Sequence, residues 1–281
     1  MYTLSNPQLD MRKIALSGQI FRFNEISEGS FRLIANDRLL NIYTIGEKSL
    51  GNEKYFVYEL DCDEKEYKSF WKNYFDMDTN YEYFARSIPR EDEFLTKGAK
   101  FSRGIRILRQ DKWEMLISFI ISQRKNIPAI KSSIEKLSKQ FGEKKETLSG
   151  IEYYAFPTAK ELANADIDKL NACSLGYRAA YILDTARKVY EGMDLDSFDN
   201  LSDDKLIEKL KEFNGVGVKV ANCTALFGYH RIATFPIDVW IQRVIDERYN
   251  GNFPINKYSG FAGVIQQYMF FYGRELGNKR V

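Results

Sequence analysis

Between residues 11 and 60, apolar and polar side chains alternate over short runs. The runs "FRFNEIS", "SFRLIAN", "LLNIYTIG" and "KYFVYEL" are rich in β-branched and aromatic residues, and Gly29 and Gly51 punctuate them. Period-two alternation predicts half-buried strands, so this stretch is expected to form an antiparallel sheet. "DEKEYKSFWKNYFDM" then shifts to a helical spacing, and from about residue 98 the helical period persists. "DKWEMLISFIISQ" starts at Asp111 as a cap, and "NIPAIKSSIEKLSKQFG" ends in glycine. "YRAAYILDTARKVYEGM" and "SDDKLIEKLKEF" follow, the latter capped by Ser202 or Asp203. "VKVANCTALFGY", "DVWIQRVIDERY" and "SGFAGVIQQYMFFYGREL" complete the helices. The expected architecture is α+β: an N-terminal antiparallel-sheet domain over residues 1–97 and an all-helical domain over residues 98–281.

Charge adds a contrast between the halves. Residues 1–96 hold 12 Lys and Arg against 17 Asp and Glu, whereas residues 97–281 hold 29 against 22. The densest basic run is "KGAKFSRGIRILRQDK". A basic half suits a polyanion such as nucleic acid, although solvated helix faces account for the charge equally well. Cys62, Cys173 and Cys223 lie far apart, which argues against a disulfide framework, a zinc knuckle or a four-cysteine cluster. No cofactor and no metal site is expected. The N-terminal stretch has no apolar core of signal-peptide length and no run reaches transmembrane length, so the expected compartment is the cytoplasm or nucleoid. His230 is the one histidine, so acid–base or nucleophilic work falls to other side chains.

The segment "EFNGVGVKVANC" places Lys219 on the first turn of a helix, where the macrodipole is least welcoming to positive charge. Ahead of it Asn214, Gly215, Val216 and Gly217 form a tight inter-helix turn whose outward N–H groups suit a phosphate. An ordinary packing turn is an equal reading. A dinucleotide-binding loop fits poorly, because a helix precedes the turn and the third glycine is missing. Asp238, in "FPIDVW", lies just before another helix; an N-cap and a carboxylate near Lys219 are both open for it.

"NGVGVKVA" followed by "FPIDV" resembles the helix–hairpin–helix glycosylase superfamily, with the motif here at about residues 205–229. "SGQIFRF", "RILRQD", "SFIISQ" and "LGYRAAYI" are similar to its 8-oxoguanine DNA glycosylase branch. The resemblance covers most of the chain and implies a bifunctional glycosylase and AP lyase acting on damaged double-stranded DNA, expected as a monomer. It implies that Lys219 attacks the sugar and forms a Schiff base, and that Asp238 stabilises the positive charge growing there. A helix N-terminus and a dry pocket favour the neutral amine that a nucleophile needs, which gives Lys219 a reason for its position. The resemblance further assigns the faces of a flipped base to Cys223 and Phe270, its Watson–Crick edge to Gln266, and the hydrogen on oxidised N7 to the carbonyl of Gly18. Tyr177 resembles the family's wedge, and Arg178 its contact to the orphaned cytosine.

The chain departs from the pattern in three places. Arg124 in "QRKN" stands where the family commonly fills the gap with asparagine. Ala129 aligns with a second cytosine-reading arginine. Trp240 stands where a phosphate-contacting histidine is frequent. The alternatives are a glycosylase for another damaged base and a non-catalytic DNA-binding hairpin protein. Oxidised-pyrimidine enzymes usually carry a four-cysteine cluster that three cysteines cannot build, and alkyl-purine enzymes usually lack the lysine. Binding alone needs neither Lys219 nor Asp238.

Overall fold

The computed structural model of the chain describes residues 1–51 and 53–278. Five antiparallel strands form the N-terminal sheet: β1 (Tyr2–Ser5), β2 (Phe23–Ser27), β3 (Ser30–Ala35), β4 (Arg38–Leu50) and β5 (Glu53–Leu60), in the order β1-β5-β4-β3-β2. Alternation places Phe31, Leu33 and Ala35 of β3 on the buried face. The expected sheet needs two corrections. β1 was not anticipated, because a four-residue edge strand with only Leu4 buried carries little pattern. Residues 11–16 are a helix, α1 (Met11–Leu16), capped by Asp10 and covering the sheet with Met11, Ile14 and Ala15. At six residues it is too short to show a period.

The helical body is built from α2 (Glu93–Phe101), α3 (Lys112–Ser122), α4 (Ile127–Phe141), α5 (Arg178–Tyr190), α6 (Asp203–Leu210), α7 (Val218–Phe227), α8 (Val239–Tyr249) and α9 (Ala262–Asn278). α3 is apolar on nearly every side and runs through the centre, as a helix buried all round must. Asp111 caps it, accepting from Glu114 N at 2.8 Å. Phe119 of α3 stacks on Phe227 of α7 with ring centres 5.5 Å apart. The expectation of an all-helical second domain also needs correction. Lys144–Glu146 and Glu152–Tyr154 form a two-stranded hairpin, closed by a turn in which Gly150 has φ +81°. It is kept out of the helical pattern because it docks on the sheet instead: Lys145 Nζ reaches Asp37 Oδ2 at 3.2 Å, and Tyr153 OH reaches the Asp37 carbonyl at 2.8 Å.

Two apolar cores result, one under the sheet and one among the helices, and the chain stitches them together. The helical core takes in Tyr81, Phe84, Ile88 and Leu95 from before residue 97, and also Phe21. In the extended segment before α3, Ile107 enters the helical core while its neighbour Leu108 enters the sheet core. Buried Arg22 spans the same junction, pairing with Glu135 at 2.9 Å and donating to the Tyr154 carbonyl at 2.8 Å.

Candidate active site

α6 ends at Leu210 and α7 begins at Val218, so residues 211–217 form the hairpin. Gly215 has φ +78°, and a Cβ there would lie 2.3 Å from the ring of Tyr181, so only glycine fits. Gly217 has no such constraint; it is the extended N-cap of α7, with open space where a side chain would be. The turn delivers Lys219, half-buried on the first turn of α7, into a cleft of about 920 Å³. Lys219 Nζ donates to Ser122 Oγ at 3.3 Å and lies 5.2 Å from the centre of the Phe119 ring. Ser122 spends its own hydrogen on the Phe119 carbonyl at 2.8 Å, which leaves its lone pairs for the lysine. An amine held this way, once neutral, still has a lone pair to offer.

Asp238 enters the same cleft from the N-terminus of α8. One oxygen, Oδ1, accepts from both Trp240 N and Ile241 N, at 3.0 and 2.9 Å. Among the described residues Oδ2 has no hydrogen-bond partner. The cap and a second role are therefore compatible, each with its own oxygen. Cys223, one turn after Lys219, is buried; burial pushes its thiol up, Lys219 opposes that rise, and Asp238 adds to it.

The opposite wall comes from the sheet domain and α9. Gly18 has φ +78°, and a Cβ on it would lie 2.9 Å from Phe270 Cε1, so backbone and ring are in close approach. Gln19 locks this turn in place. Its Nε2 donates to Ser17 Oγ and the Arg106 carbonyl, both at 2.9 Å, and its Oε1 accepts from Leu108 N at 2.8 Å. Gln266, one turn before Phe270, donates to the Pro236 carbonyl at 3.2 Å. Arg274, one turn after it, places its guanidinium 5.4 Å from the Phe270 ring centre, and burial lowers its pKa.

The family comparisons match this arrangement along the chain. Residues 1–116 match the model of the 8-oxoguanine DNA glycosylase N-terminal domain, and residues 117–253 match the HhH-GPD superfamily of base excision DNA repair proteins. An N-glycosylase/DNA lyase of Saccharomyces cerevisiae is 34% identical over 78% of this chain and 65% of the yeast protein. A probable N-glycosylase/DNA lyase of Methanothermobacter thermautotrophicus is 31% identical over 72% of this chain and 73% of its own length. The chain belongs to the 8-oxoguanine DNA glycosylase family. The structure of the Clostridium acetobutylicum 8-oxoguanine glycosylase/lyase, solved with double-stranded DNA containing cytosine opposite 8-oxoG, superposes with a TM-score of 0.85. It is 33% identical, covering 96% of this chain and 93% of that one.

The cleft gathers Lys219, Asp238, Gly18, Cys223, Gln266, Phe270, Arg124 and Trp240. Tyr177, Arg178 and the hairpin residues Asn214, Gly215, Val216 and Gly217 lie outside its lining. Tyr177 stands exposed at the start of α5, whereas Arg178 is buried. The Arg178 guanidinium lies 4.4 Å from the Tyr177 ring centre and bonds the carbonyls of Leu175 and Gln123. It is thereby tied to the loop that carries Arg124, whose φ is +50°. Trp240 packs against Gly277, where a Cβ would meet its ring at 2.8 Å, so it braces α8 on α9. Among the described residues no helix is long and apolar enough to cross a membrane.

Sequence reading missed Ser122, Gln19, Arg274 and Gln267 in this site. Ser122 and Gln19 lie inside quoted motifs, "SFIISQ" and "SGQ", but a single serine or glutamine carries no signal until its partner is known. Gln267 and Arg274 share a helix with Gln266 and Phe270, so their spacing was the available clue.

Proposed function

We propose that this chain removes 8-oxoguanine from duplex DNA and then cleaves the strand through a Schiff base on Lys219. The observation that carries the reading is the meeting of Lys219 and Asp238 in one cleft whose far wall sets Gly18 against Phe270. A flipped base fits between Cys223 and Phe270, and extruding it costs a few kcal/mol of stacking and pairing. Oxidation puts a hydrogen on N7, and the Gly18 carbonyl accepts it; normal guanine offers a lone pair there and is repelled. The Lys219 amine attacks C1′ as the C1′–N9 bond breaks, and the base leaves with the electron pair. Oδ2 of Asp238, free of the cap, faces the positive charge that grows on the sugar. Loss of a proton from nitrogen and opening of the ring give the iminium. Removal of a C2′ proton then expels the 3′ phosphate by β-elimination.

Borohydride should trap a covalent complex with duplex carrying 8-oxoguanine. Lys219→Gln should abolish both trapping and base release while keeping lesion binding, since it removes the nucleophile and leaves the pocket. Base release by this variant at the wild-type rate refutes the assignment.

A further inference from the structure

Gln266 and Gln267 are neighbours on α9, both line the cleft, and they are 4% and 3% exposed. A primary amide has a donor end and an acceptor end, and its partners decide which is which. Here they decide both residues. The Pro236 carbonyl only accepts, so the end of Gln266 that meets it at 3.2 Å is Nε2. The other end of Gln266 is then an oxygen, so the end of Gln267 that meets it at 3.1 Å is also Nε2. This relay of hydrogen bonds stops at Gln267 Oε1, which is buried and, among the described residues, has no hydrogen-bond partner. A buried amide with an unmade acceptor is less favourable than an apolar side chain of the same shape. Packing alone would be better served by leucine or methionine.

We infer that Gln267 is a positioning residue that holds the Gln266 amide in one orientation, so that the cleft offers an N–H and an adjacent C=O to the edge of a flipped purine. The inference rests on the reading of Gln266 as the residue that meets the Watson–Crick edge. Gln266 keeps a second hydrogen on Nε2 and a second lone pair on Oε1 for that purpose. N–H beside C=O complements a guanine-type edge, in which O6 accepts and N1–H donates. It opposes an adenine-type edge, in which the 6-amino group donates and N1 accepts. A pocket with a fixed polar pair rejects the wrong edge strongly, because it leaves buried groups unpaired.

The test is single-turnover excision of 8-oxoguanine and 8-oxoadenine by wild type, Gln267→Leu, Gln267→Glu and Gln266→Ala, each with its melting temperature. Gln267→Leu should slow 8-oxoguanine release by about tenfold, the loss expected for one hydrogen bond. Release of 8-oxoadenine should not fall in parallel, so the ratio between the two bases narrows. Gln267→Glu supplies a readout that packing would not move. Protonated, its O–H donates to Gln266 Oε1 as the amide did; ionised, it sets oxygen against oxygen. Its rate relative to wild type should match at acid pH and fall as pH rises. An unchanged base ratio in Gln267→Leu together with a flat relative pH profile in Gln267→Glu overturns the positioning role alone. Wild-type excision of 8-oxoguanine by Gln266→Ala overturns the reading of Gln266 itself, and the inference with it.

Discussion

Replacing Asp238 by asparagine separates two jobs that one side chain holds. Both helix N–H groups bond Oδ1, and among the described residues Oδ2 has no hydrogen-bond partner, so asparagine can keep the cap while putting an uncharged amide nitrogen in place of Oδ2. Asparagine and aspartate cap equally well; what is lost is a charge–dipole contribution of about 0.3–1 kcal/mol. Alanine loses the cap itself, about 1 kcal/mol, or about 2–4 °C in Tm for a chain of this size. The rate should behave differently. Removing one electrostatic partner of the transition state costs about 2.7–4 kcal/mol, which slows the chemistry by about 10²–10³. Asp238→Asn and Asp238→Ala should therefore show similar losses in single-turnover excision, similar affinity for lesion DNA, and unequal melting temperatures. The assay pairs rapid quench on an 8-oxoguanine duplex with thermal melts at the same pH. An asparagine variant that excises at close to the wild-type rate would refute the reasoning and leave Asp238 as a cap.

Gly18→Ala combines a left-handed φ, unfavourable for alanine by about 1–2 kcal/mol, with a contact of 2.9 Å to the Phe270 ring. It should lower Tm and slow 8-oxoguanine release by more than Tm explains; equal release at a temperature well below the melt would contradict the close packing. Glu114, buried on α3, has its pKa pushed up to about 8 by burial, with Arg22 opposing and Asp111 and Glu135 assisting. The folded protein then holds a proton that the unfolded chain releases near about pH 4.3, so stability falls as pH rises from there to about 8. Glu114→Gln should melt like wild type at acid pH and above it at alkaline pH, and parallel Tm curves would exclude this. Ala129, exposed on the first turn of α4, leaves one arginine fewer for the partner base than the family pattern. Ala129→Arg should sharpen the preference for cytosine opposite the lesion by about tenfold, a contact worth about 1–3 kcal/mol, when excision is compared opposite all four bases.

The parts legible in the sequence were those with a period or a tight local constraint. Strands β3 and β5, the long helices and the Asp111 cap all follow from alternation, helical spacing and capping chemistry. Lys219 stood out because it sits at a helix start with a charge that local structure disfavours, and Asp238 because a helix cap there left a second role beside the lysine open. β1, α1 and the hairpin at 144–154 stayed hidden because each is too short to set a period and is held by distant partners, such as Asp37. The site was legible in its residues and not in its contacts. Nothing local announces that Ser122 holds Lys219 or that Gln19 clamps the turn at Gly18. Nor does a motif reveal that Arg178 lies folded inward on the Gln123 carbonyl, since that depends on the loop geometry at Arg124.

The clamp at Gln19 means that the boundary between the two cores runs through the pocket. Lys219 hangs from the helical body, while the turn that approaches Phe270 is hung from the sheet side by bonds to Ser17, Arg106 and Leu108. On the proposed reading, the attacking amine and the carbonyl that reads N7 are thus hung from opposite sides of that seam, while Gln266 and Phe270 stay with the helical body. A weakened seam would leave the attacking amine in place and let the wall against Phe270 drift. Such an enzyme would fail first by becoming careless rather than slow.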